Sequence, residues 1–199
     1  MKHLLLILPI ILTLASCTTN LEEAEQKWNP YEKGEVLVFT SKTGDTDTIF
    51  ILDVINELHP TRHGTELPVF TKNQNIEISV RHTDPNYDRY LTNNFFELEA
   101  RTKDFPTTIR FLLAAKNSWF YGEPYELEKL QEKEQIKLTV PFGTFNDVLV
   151  LEDTNGEYSE RENYVQRVYW SYSEGYLKWE KLDGTTWELK KKYVPQHRL

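Results

Sequence analysis

After residue 34 the chain alternates apolar and polar side chains with period two. Ile76, Ile78 and Val80 fall on one face of residues 75–81, and Glu77, Ser79 and Arg81 fall on the other. Residues 96–101 and 135–140 repeat the pattern, which is that of strands with one wet face. Val36-Leu37-Val38-Phe39, Ile49-Phe50-Ile51-Leu52 and Val148-Leu149-Val150-Leu151 are apolar at every position, so they predict central or covered strands. Residues 107–120, with Ile109-Arg110-Phe111-Leu112-Leu113, add another strand. Asn155-Gly156 and Asp183-Gly184 are pairs favoured in two-residue type I′ hairpin turns. Lys42-Thr43-Gly44-Asp45 joins the first two strands, and Pro141-Phe142-Gly143 separates two more. Helical spacing shows only in residues 125–134, where Leu127 and Leu130 are three apart, so the segment reads as one or two helical turns or else as a polar connector.

Successive strands with short turns imply an antiparallel meander. A sheet of about eight or more strands has to curl, close or stack. The expected fold is therefore all-β with a minor helix: a curved antiparallel sheet, forming a half-barrel or a barrel. Gly175 before Tyr176 suits a bulge, and Trp170, Trp179 and Trp187 are expected to meet across adjacent strands as core.

The first 33 residues read differently. A positively charged start, Met1-Lys2-His3, precedes an unbroken apolar run over residues 4–12 and then Thr13-Leu14-Ala15-Ser16-Cys17. That is the layout of an export signal. At ~1.5 Å per residue, a helix over residues 4–16 reaches roughly 20 Å, short of the ~30 Å hydrocarbon core. Pro9 sits within it. Residues 18–33 are polar, and as a flexible tether of ~16 residues they would span roughly 20 to 25 Å.

Leu14-Ala15-Ser16-Cys17 resembles the lipobox of bacterial lipoproteins. The resemblance implies cleavage before Cys17, diacylation of its sulfur and frequent acylation of the new amine. Cys17 is the one cysteine of the chain. The expected organisation is a signal peptide over 1–16, a lipidated terminus and tether over 17–33, and a single antiparallel β domain over 34–199. Thr18 rather than Asp follows Cys17, which by the same resemblance leans towards the outer membrane. The acidic residues Glu22, Glu23 and Glu25 weakly resemble surface-export signals and otherwise read as part of a solvated tether.

A second resemblance covers the C-terminal part. Gly143-Thr144-Phe145 precedes Tyr169-Trp170-Ser171 and Gly175-Tyr176-Leu177-Lys178. The arrangement resembles the closing strands of small Gram-negative envelope lipoproteins, and of curved-sheet proteins of the lipoprotein-carrier and lipoprotein-receptor type in the Lol pathway. It implies a curved antiparallel sheet and no activity.

Composition narrows the chemistry. A net charge of −8 sets the protein against phosphate backbones, so no nucleic-acid partner is expected. Lys190, Lys191 and Lys192 read as a solvated strand end. His59 and His63, with Glu57 and Glu66 nearby, have a metal-like spacing, but Pro60 and Gly64 make a surface loop the better reading. His82 and Asp84 lack partners in sequence. Asp45-Thr46-Asp47 and Asp153-Thr154-Asn155-Gly156-Glu157 fall short of a calcium loop and fit hairpin turns. Neither a nucleophile elbow, a phosphate loop nor a dinucleotide fingerprint occurs. No catalytic residue, cofactor or metal is assigned, and the site residue is the lipidation site Cys17.

Three functions remain. A non-enzymatic envelope module could shelter a lipid or other hydrophobic ligand in the curved sheet, which requires inward apolar residues with no opposing layer. An accessory lipoprotein docking to an envelope protein complex requires a filled core with an exposed apolar patch or open strand edge. A hydrolase acting on glycans or lipids requires convergent acids in a cleft.

Overall fold

The computed structural model describes residues 18–60, 72–83, 94–116, 118–152 and 160–196. Residues 1–16, expected above as a signal peptide, and Cys17 lie outside the described residues. In chain order the elements are β1 (Thr18–Thr19), α1 (Glu23–Gln26), β2 (Val36–Ser41), β3 (Thr46–Pro60), β4 (Lys72–His82), β5 (Asn94–Glu99), β6 (Thr108–Ala115) and β7 (Ser118–Tyr121). Then follow β8 (Tyr125–Glu126), α2 (Leu127–Gln131), β9 (Ile136–Val140), β10 (Gly143–Glu152), β11 (Val165–Ser171), β12 (Gly175–Lys181) and β13 (Thr186–Tyr193).

The strands form one sheet in the order β7-β6-β5-β4-β3-β2-β13-β12-β11-β10-β9, with β1 on β4 and β8 on β6. Neighbours along this path are antiparallel. Two meanders, β2 to β7 and β9 to β13, are thus joined side by side along the seam between β2 and β13. The sheet curls into a half-barrel. Its β7 edge comes round to the residues before β11, where Trp119 and Tyr164 form a parallel bridge. There the Trp119 N–H donates to the Asn163 carbonyl at 2.7 Å.

Alternation, broken by a bulge at Phe95 where the register of β4 on β5 shifts, places one apolar set on the concave face. Phe39, Ile49, Ile78, Phe95, Phe96, Phe111, Trp170, Tyr176 and Trp179 are all fully buried there in a single cluster. Facing layers are tied across it. The Tyr176 hydroxyl on β12 lies 3.3 Å from the Phe95 carbonyl and 3.1 Å from that of Leu112. Trp179 Nε1 donates to Ser118 Oγ at 2.9 Å. Trp170 stacks on Phe96 with a centroid separation of 5.2 Å and an interplanar angle of 2°. The interior between the layers is therefore occupied by aromatic rings.

Several expectations change in detail. Trp179 and Trp187 do pair across β12 and β13, at 6.0 Å. Trp170 instead lies opposite Tyr176 and packs on Phe96 and Phe111, because the register of β11 on β12 shifts between Tyr169 and Trp170. Leu52, expected in a covered strand, is exposed because the register of β3 on β4 shifts between Ile51 and Asp53. His59 and Pro60 belong to β3 rather than to a loop. The Asp183-Gly184 hairpin is not a two-residue turn. Lys181 N–H donates to Thr185 O, Gly184 N–H donates to Lys181 O, and Gly184 takes φ 82°. Residues 41–45 close in the same way, with Gly44 at φ 89°. Both are three-residue loops that end on a left-handed glycine. The expected helix is present as α2, with Leu127 and Leu130 buried.

The largest correction concerns residues 18–33. They are no free tether. Thr18 and Thr19 pair in parallel with Lys72 and Asn73, and Leu21, Trp28 and Tyr31 are buried. Their apolar residues are too widely spaced to show a period, yet each finds a place on the open rim.

Candidate functional site

The half-barrel has two rims. One carries the hairpin loops at residues 41–45 and 181–185. At the other rim β2 and β6 begin, β5 and β13 end, and β11 turns into β12. The N-terminal segment straps this second rim.

The strap starts on the β4 side. Once β5 has ended, β1 takes over the free edge of β4. Leu21 N–H donates to Gln74 Oε1 at 2.8 Å. The acidic cluster, expected to be solvated, is engaged. Glu25 accepts from the Glu22 N–H and from the Thr107 hydroxyl, both at 2.6 Å. Glu22 lies 3.6 Å from Arg101. Farther along, Trp28 meets Tyr172 edge-on at 4.8 Å, and Tyr31 packs on Phe95 and Trp170. The segment therefore spans from β4 and β6 to the β11–β12 turn.

Three features lock it there. Tyr31 Oη accepts the Tyr176 N–H at 3.0 Å. Gly175 takes φ 85°, and a Cβ on it would overlap Tyr31 Oη and Cζ, so a left-handed backbone and a close approach both demand glycine. Lys192, read from sequence as solvated, is a buried pin with a side chain 8% exposed. Its ammonium donates to the Pro30 carbonyl at 2.9 Å and lies 3.2 Å from Glu174 and 3.7 Å from Glu35. It also sits 5.5 Å from the centre of the Tyr31 ring. Burial pushes the Tyr31 and Tyr176 phenols well above their ordinary range.

Beside the lock, burial would push the Asp147 carboxyl up. The Ser173 N–H at 2.8 Å and the Ser171 hydroxyl at 2.9 Å outweigh burial and hold it below the usual carboxylate range. These bonds fix the β11–β12 turn. A cleft of ≈ 480 Å³ opens between the end of β13 and the β9–β10 turn, lined by Val38, Phe142, Lys190, Lys191, Lys192 and Tyr193.

A second exposed feature of this rim is the turn at residues 102–105. Ala100 N–H donates to the Gln74 carbonyl at 2.8 Å and carries the chain off β5. Thr102 Oγ1 then accepts the Asp104 and Phe105 N–H groups, and Thr102 N–H donates to Phe105 O at 2.8 Å. Phe105 stands on this ordered turn 56% exposed, the one described phenylalanine that is not at least half-buried.

The described residues among those singled out for metals do not converge. Among the described residues no three His, Cys, Asp or Glu side chains are grouped to hold an ion. His63, Glu66, Asp84 and residues 153–157 lie outside the described residues. Asp47 is a buried staple: it accepts from Thr48 N–H, Thr83 Oγ1 and Lys116 N–H. Sequence reasoning missed the Lys192 pin. Alternation gave no signal for it: Lys192 is out of phase with the buried Trp187 and Leu189, and it comes inward, opposite Leu37, only because the register shifts between Leu189 and Lys191. No family model, no curated protein and no solved structure matches the chain.

Proposed function

We propose that the protein is a cell-envelope lipoprotein, anchored through acyl chains on Cys17, that acts as a non-enzymatic accessory subunit docking to an envelope protein complex. Thr18 after Cys17 points to the outer membrane as its address. The filled interior carries the reading. Trp170, Tyr176, Phe95, Phe96 and Phe111 occupy the space a sheltered lipid would need, and Tyr176 and Trp179 bond the facing layers together. A sheet whose concave face is its own core has its convex face, rims and edges left for partners. The edge strand β9 keeps Ile136 and Leu138 half-buried, alternating with the exposed Lys137 and Thr139.

Native mass spectrometry of the protein purified from its own envelope tests this. The expected spectrum is the chain with its acyl groups and nothing more. A reproducible further mass that leaves on denaturation would overturn the docking role in favour of a ligand-holding one. That second reading has one observation behind it: the ≈ 480 Å³ cleft, whose lysines and aromatic rings suit a small anionic amphiphile. The anchor is tested separately. Cys17→Ser is expected to abolish incorporation of labelled palmitate, and unchanged incorporation would refute it.

A further inference from the structure

We infer that the strapped rim seats directly on the bilayer, with the turn at residues 102–105 dipping Phe105 into the lipid headgroup layer as a second, non-covalent anchor. The inference rests on the reading of Cys17 as acylated and adds to it the orientation of the domain and a lipid-contacting residue.

The linker is the first argument. A free tether over residues 18–33 would hold the domain roughly 20 to 25 Å off the membrane and leave it free to tumble. The structure removes that slack. Thr18, the residue next to Cys17, is already paired with Lys72 of β4. One residue reaches at most ~3.6 Å, so an acylated Cys17 brings β1 down to the headgroups. The side of the rim around β1 then faces lipid.

What lies around β1 is the second argument. On one side, the turn bearing Phe105 leaves β5 at Ala100, which is bonded to Gln74. Gln74 is also the residue whose side chain holds Leu21. Glu22 and Arg101 bridge the strap and the base of the turn. On the other side of β4, Leu58 is the register partner of Gln74 and is 46% exposed. Two exposed apolar side chains thus flank the anchor point, in a protein that buries Phe39, Phe95, Phe96, Phe111 and Phe120 to 2% or less. Arg101 and Lys103 lie beside Phe105, and long basic side chains can place their charge among phosphates while their stems lie along apolar groups. Glu22 and Asp104 offset much of that charge, so the contact is apolar rather than electrostatic and suits zwitterionic lipid. Insertion can be weak, since the acyl chains already supply a high local concentration of bilayer.

Cys17 is the chain's only cysteine, and acylation occupies its sulfur. An engineered cysteine is therefore a unique labelling site. Asp104→Cys keeps Phe105 in place, and Leu182→Cys, at a position 59% exposed on the hairpin rim, is the control. Each full-length lipidated protein, spin-labelled and reconstituted in phosphatidylcholine vesicles, is read by its accessibility to oxygen and to a water-soluble nickel chelate. The label at position 104 is expected to be several-fold less accessible to nickel than the label at 182, and adding Phe105→Ser is expected to remove most of the difference. Equal nickel accessibility at 104 and 182 in protein whose intact mass shows the acyl chains would overturn the seating alone. Absence of acyl mass would overturn the lipoprotein reading and the seating with it.

Discussion

The two rims of the half-barrel are closed by different means. The hairpin rim is closed locally: Ser41 reaches Asp45 and Lys181 reaches Thr185, each loop ending on a left-handed glycine with open space around it. The strapped rim is closed by residues far apart in sequence, among them Tyr31 with Tyr176 and Pro30 with Lys192. Local closure depends on backbone conformation and is worth little per turn. Long-range closure depends on burial and pairing, so single changes there reach further.

The largest effect is expected at the pin. Lys192→Met leaves Glu35 facing a buried space without its cation, and should cost about 3–5 kcal/mol in chemical denaturation. Adding Glu35→Leu should recover part of that loss, because it removes the stranded carboxylate. Next come the glycines, which form a matched set. Gly44, Gly175 and Gly184 have φ of 89°, 85° and 82°. Alanine at Gly44 or Gly184 should cost about 1–2 kcal/mol for the left-handed backbone alone. Gly175→Ala must also displace Tyr31, and should cost about 3 kcal/mol or more. Equal losses at all three positions would mean that the strap contributes nothing to the rim.

Titration separates the rims more gently. Tyr31 and Tyr176 are raised above 10.0 in the folded chain. Their contribution is complete below that value. Above it the unfolded chain sheds phenolic protons that the folded chain keeps, so stability should fall by about 1.4 kcal/mol per pH unit for each. Tyr31→Phe should halve this alkaline slope. The smallest effect is at acid pH. Asp147 at the strapped rim and Asp183 in a hairpin loop are both lowered from 3.8. Stability from each is present above that value and is lost as pH falls through the lower folded value. Asp147→Asn should flatten the acid limb of a pH–stability curve more than Asp183→Asn, since Asp183 is the more exposed of the two.

The same contrast explains what could be read in advance. Alternation in residues 75–81 and 135–140 gave β4 and β9, because a strand's period is written in adjacent positions. The spacing of Leu127 and Leu130 gave α2 for the same reason. The curled antiparallel half-barrel followed from the number of such strands. The strap did not, because Leu21, Trp28 and Tyr31 bury individually against elements that arrive later in the chain. A lone aromatic in a polar stretch looks the same whether it faces solvent or plugs a rim. Lys192 was misread because its partners, Glu35 and Glu174, lie far off in sequence. Bulges after Ile51 and Tyr169 moved Leu52 and Trp170, and a single extra residue in a strand leaves no mark on composition.

The seam between β2 and β13 sets an order of events. A chain delivered N-terminus first completes residues 36–121 as one meander while β2 still has an open edge. The strand that covers this edge, β13, is the last to emerge, and Lys192 meets Pro30 across 162 positions. Until then the half-finished sheet offers β2 as a template for any other chain. Trimming the C-terminal residues from 186 onward is therefore expected to yield a species that pairs with its own kind along β2, seen as dimers or larger species by size-exclusion chromatography.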